Sequence, residues 1–129
     1  MKVFQTAWFA RFARKASISA TAMLHAVERA EMGLIDADLG GGVIKQRIGR
    51  PGGGKSKGYR SIILFRKGQR SFFVYGFPKS ALGNISEDER DQFKEMGKHV
   101  LALSDAQLDG LIANGQFEEV IQHDQKVSK

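Results

Sequence analysis

Lys55, Lys57 and Arg60 stand close together in the chain, and Tyr75 and Lys79 follow in the next apolar stretch but one. Lysine, arginine and tyrosine without a nearby carboxylate suit phosphodiester chemistry better than two-metal chemistry, because magnesium needs oxygen anions beside it. Such a set can cleave RNA. The 2′-hydroxyl attacks the adjacent phosphorus, charge grows on the non-bridging oxygens, and fixed cations stabilise that charge more than they stabilise the ground state. Arg60 suits those oxygens because a guanidinium stays protonated and binds in a planar fork. A lysine crowded by other cations releases its proton more readily, which makes Lys55 or Lys57 the expected general base. Tyr75 and Tyr59 are the next choices for proton transfer. For each of these residues the plain alternative is a solvated cation or a strand tyrosine packed into the core.

The same region contains GRPGGGKS, residues 49–56, which satisfies the nucleotide phosphate-loop pattern G-x-x-x-x-G-K-[ST]. That pattern requires a helix to begin at its Lys-Ser pair so that free N–H groups point at the phosphates. Here the following residues, KGYRSIILF, favour a strand. The loop therefore reads as a phosphate-handling turn without nucleotide hydrolysis. Gly53 and Gly54 allow close backbone approach, while Arg50, Lys55 and Ser56 supply donors to a phosphate of a polynucleotide.

Charge placement supports this reading. Residues 39–86 hold ten of the twenty bases and none of the fourteen acids, including Lys45, Arg47 and Arg66 beside those already named. The rest of the chain carries a net charge of −4. A one-signed field of this kind captures polyanions, and it points to nucleic acid as the partner. With no cysteine and with His25, His99 and His123 scattered, neither a metal centre nor another cofactor is expected. The 129 residues make one domain, expected to span residues 1–121 with a core over 1–86, a helical extension over 87–121 and a flexible tail at 122–129. No run is long and apolar enough for a bilayer, so a soluble, cytoplasmic protein without a membrane partner is expected.

The elements that must position these groups follow from periodicity. Residues 1–6 suit an edge strand. Trp8, Phe12 and Ala16 recur every fourth position and mark a first helix. Ser19 caps a second, whose stripe is Ala20, Met23, Leu24 and Val27 and whose stop is Gly33. Together these predict a helical hairpin. Residues 43–48, 59–66 and 71–77 read as three strands, the last two joined by a tight turn at Lys67-Gly68-Gln69, which predicts an antiparallel sheet. Both faces of the middle strand are apolar at its centre, so both require cover. Capping boxes at Ser86 and Ser104 open two further helices. Residues 117–121 fit a strand and a half-turn of helix equally.

The ordered set ADLGG from Ala37, GGGKSKGYR from Gly52, a strand, a hairpin, YGFPKS from Tyr75 and Asn84-Ile85 resembles the RelE/ParE toxin superfamily, in particular its HigB-like branch. The resemblance implies an α+β fold in which an N-terminal helical hairpin packs on a small twisted antiparallel sheet, here with added C-terminal helices. It also implies a toxin of a type II toxin–antitoxin pair, an endoribonuclease that cuts mRNA on the ribosome and is silenced by a cognate antitoxin. Arg60 and Lys79 match the positions that contact the scissile phosphate, Lys55 and Lys57 match the basic residues before the strand, and Ser80 and Asn84 are further expected RNA- or phosphate-binding positions. Lys79 stands where arginine is usual, and no tyrosine matches the family's C-terminal one near Asn84. The rival readings are a ParE-like inhibitor of DNA gyrase and a non-catalytic RNA-binding regulator.

Overall fold

The computed structural model describes residues 1–49, 58–79 and 85–122. Strand β1 (Lys2–Thr6) runs straight into helix α1 (Ala7–Ala16), where the Thr6 hydroxyl accepts from Phe9 N at 3.0 Å and so caps the helix. Ser17, at φ 58°, ends α1 in the left-handed region. Ser19 caps α2 (Ala20–Glu31), accepting from Ala22 N at 3.1 Å, and Gly33 turns the chain out of it at φ 85°. Strands β2 (Ala37–Gly40), β3 (Val43–Ile48), β4 (Tyr59–Arg66) and β5 (Arg70–Pro78) follow as antiparallel neighbours. Then come α3 (Glu87–Val100) and α4 (Asp105–Ala113), both opened by complete serine capping boxes, and a last strand β6 (Phe117–Glu119).

The fold is α+β, with a single mixed sheet ordered β2-β3-β4-β5-β1-β6. Two expectations change. The sheet is not purely antiparallel, because β1 pairs parallel to β5, and β1 is not an edge strand, because β6 pairs antiparallel along its other side. Adjacent residues of β1 fit this place: Val3 and Phe4 point to opposite faces and both are buried, so the strand needs cover on both faces, which an interior position in this sheet supplies. The expected helical hairpin also differs in kind. The chain leads with a strand, and each N-terminal helix is anchored on the sheet, α1 over β5 and β1 and α2 over β3.

Cover is supplied on both faces. Phe9, Ala13, Met23, Ala26, Val27 and Ala30 of α1 and α2 join Ile44, Ile48, Ile63 and Phe73 in one cluster. Val100, Leu101 and Leu108, from α3, α4 and the turn between them, join Val43, Ile62, Leu64, Phe72 and Val74 in the other. In α1 the buried stripe is Phe9 and Ala13, one position round from the predicted Trp8-Phe12-Ala16 stripe, which leaves Trp8 42% exposed. Close approach of α1 to β5 depends on Gly76, where a Cβ would overlap the Phe12 ring at Cε2. Gln46 is fully buried on the α2 side, yet its polar atoms are matched: Nε2 donates to Ala26 O and Leu34 O, each at 3.0 Å, and Oε1 accepts from Asp36 N at 2.9 Å.

Candidate functional site

Three strand ends meet where β3 finishes, β4 begins and β5 finishes. A Cβ on Gly58 would lie 2.7 Å from Ile48 O, and Lys79 N donates to Gly58 O at 3.0 Å. The exits of the glycine-rich segment are thus pinned beside Lys79 by backbone contact. A strand, β4, follows that segment, in place of the helix a nucleotide-binding phosphate loop needs. Arg50, Gly53, Gly54, Lys55, Ser56 and Lys57 lie outside the described residues, as do Ser80 and Asn84.

Strand alternation sets what reaches this corner. Lys45 and Arg47 of β3, Arg60 of β4 and Tyr75 and Phe77 of β5 share the sheet face on which α3 packs, once the irregularity between Ile62 and Ile63 has shifted the pairing by one residue at Val74. Arg60 sits directly opposite Arg47 on one side and Phe77 on the other. Like charges placed opposite one another across a ladder destabilise it, so this pairing asks for a compensating anion. Arg47 has one: Asp36 Oδ1 lies 3.6 Å from its Nη2, and Asp36 Oδ2 also accepts from Arg47 N at 2.6 Å. Arg60 has none. Its Nη1 is buried without a hydrogen-bond partner, and among the described residues no carboxylate makes an ion pair with it or with Lys79.

An aromatic cluster frames the same corner. Tyr75 stacks on Trp8 at 5.0 Å between ring centroids and touches Phe77 at 5.9 Å and Phe93 of α3 at 5.8 Å. Tyr59 meets Phe12 edge-on at 5.7 Å. Trp8 reaches Tyr75 because β1 ends at Thr6, leaving the side of β5 beyond Phe73 uncovered. Neither Trp8 nor Phe93 was singled out from the sequence, since a tryptophan on an amphipathic helix reads as core and Phe93 reads as part of the stripe of α3.

Arg66 is not brought to this corner. It lies at the far end of β4, six residues or about 20 Å from Arg60. There it borders a hollow of about 700 Å³ lined also by Lys2, Arg70, Asp105, Asp109 and Glu119. Arg70 is satisfied in it by Leu103 O and the Asp105 carboxylate, so this hollow carries balanced charge and is poorly suited to a polyanion. Among the described residues no three His, Cys, Asp or Glu side chains converge as a metal-ligand group, and no helix is long and apolar enough to cross a membrane.

A small mixed sheet with helices on both faces carries at its strand ends an arginine pair of which, among the described residues, only Arg47 meets a carboxylate. The family model described as the RelE toxin of the RelE/RelB toxin–antitoxin system matches residues 1–120. The chain belongs to that family, whose members act opposite a cognate antitoxin. The match continues through α3, α4 and β6. No curated protein matches the chain significantly.

Proposed function

We propose that the protein is an endoribonuclease toxin that cleaves mRNA on the ribosome without a metal cofactor and is silenced by its antitoxin. The observation that carries this reading is Arg60: a guanidinium with a buried, unmatched N–H, opposed to a second arginine and placed beside the exits of a glycine- and lysine-rich segment. A scissile phosphate supplies the anion that this corner lacks. Arg60 and Lys79 hold its non-bridging oxygens, and Lys45 and Arg47 steer the flanking backbone. A base, Lys55 or Lys57, removes the 2′-hydroxyl proton as the 2′-oxygen bonds to phosphorus. The bond to the 5′-oxygen breaks, that oxygen takes up a proton, and the products are a cyclic phosphate and a free 5′-hydroxyl. The antitoxin covers the cationic corner with an acidic or amphipathic segment.

Inducible expression tests the reading. Growth and translation are expected to stop on induction, and Arg60→Ala combined with Lys79→Ala is expected to relieve the arrest. Toxicity unchanged by both substitutions would count against the assignment, and filamentation with intact mRNA would transfer it to gyrase inhibition.

A further inference from the structure

Among the described residues, three buried side-chain polar atoms lack a partner: Gln5 Oε1, Arg60 Nη1 and Arg90 Nε. Two of the three are guanidinium nitrogens, and the contacts of α3 with the sheet imply that they lie near one another. Helix α3 runs along β4 in the direction of that strand. At Gly97 it lies against Leu64, a built Cβ being 3.4 Å from Leu64 Cδ2, and at Phe93 it touches Tyr75, the residue paired with Ile62. One step further towards the helix N-terminus, about 4.5 Å from Phe93, is Arg90. One step further towards the start of β4 on the same face, about 7 Å from Ile62, is Arg60. Arg90 also continues the sheet-facing stripe of α3, three residues before Phe93 and seven before Gly97, and both arginines are half-buried.

Desolvated guanidinium N–H groups without acceptors are costly and call for an anion. No carboxylate answers from the described residues. Glu87, Asp88 and Glu89 occupy the first turn of α3, but Glu89 Oε1 accepts from Ser86 N at 2.8 Å, and none of the three forms an ion pair with either arginine. We infer that Arg90 of α3 and Arg60 of β4 form a two-arginine clamp for the RNA backbone, so that the C-terminal helix completes the substrate site. This rests on the RNA reading above and extends it. The clamp engages either two oxygens of one phosphate or two successive phosphates, and Arg90 acts in binding, without a part in proton transfer.

The test uses the full chain and a short RNA oligonucleotide carrying 2′-O-methyl groups throughout, which blocks cleavage and leaves the backbone charge intact. Binding is followed by fluorescence anisotropy over a range of salt. Arg90→Gln and Arg60→Gln are each expected to weaken binding about tenfold or more, as loss of a charged hydrogen-bond donor does. Each is also expected to flatten the dependence of log K on log salt by about one phosphate contact. Arg90→Lys is expected to keep the salt slope and recover part of the affinity. Melting temperatures measured alongside separate binding from folding: a stable Arg90→Gln protein that binds as the parent does overturns the clamp. Lack of saturable binding by the parent at low salt overturns it too. If the parent binds through both arginines but cuts no unmodified mRNA in cells, the nuclease reading fails and the clamp stands.

Discussion

At the scale of single residues, Arg47 and Arg60 face one another across β3 and β4 and differ in what answers their charge. An acid-free window containing Arg60 and Lys79 can be read from the chain, yet only the pairing of β3 with β4 shows that Arg60 faces Arg47, and that Asp36 neutralises one arginine and leaves the other. Arg66 looked equivalent in sequence and belongs to a different end of the same strand. Gln46 illustrates the opposite case, a polar residue whose place in an alternating strand gave no hint that it ties α2 and residues 34–36 to β3. Gln46→Ala leaves those backbone groups without partners and is expected to cost about 2–4 kcal/mol in urea denaturation; a change within experimental error would mean that water replaces the amide. Trp8 is the single tryptophan and stacks on Tyr75, so its emission reports on the corner directly. Adding the 2′-O-methyl RNA is expected to change Trp8 fluorescence saturably, and an unaltered spectrum at saturating RNA would place binding elsewhere.

Elements that carry their own start and stop signals were readable, while those defined by partners distant in sequence were not. The capping boxes at Ser86 and Ser104, the stop at Gly33 and the turn at Gly68 are local chemistry, and each stands where its residues required. The position of β1 between β5 and β6 depends on pairing with residues some seventy and more than a hundred positions away, for which a five-residue strand holds no local signal beyond the paired burial of Val3 and Phe4. The rotated stripe of α1 has a similar origin, since Gly76 on β5 decides how closely Phe9 and Phe12 can approach. Gly76→Ala is accordingly expected to destabilise the fold by about 1–3 kcal/mol through overpacking. Ser86→Ala, which removes the cap of α3, is expected to cost about 1 kcal/mol. Thermal or chemical melts check both, and a Gly76→Ala protein as stable as the parent would show that Phe12 has room to move.

For the molecule as a whole, the uneven charge of the chain becomes a spatial division. The strand-end corner holds Arg47 paired to Asp36 and Arg60 without an acid among the described residues, whereas the hollow between the opposite end of the sheet and the α3–α4 turn mixes both signs, with Arg70 paired to Asp105. A polyanion held at the corner through three phosphates is expected to show a slope of log K against log salt of about −2, the value for single-stranded nucleic acid; salt-independent binding would argue for a protein target. A polyanionic partner is an expectation that the charge distribution raises by itself, whereas the proposed part of Arg90 could be framed only once α3 was seen to lie on β4. The central claim is that fixed guanidinium groups drive scission of mRNA. Mapping mRNA 5′ ends shortly after induction tests it most directly: new ends carrying 5′-hydroxyl groups within translated regions are expected for the parent and not for Arg60→Ala, and intact messages in growth-arrested cells would contradict it.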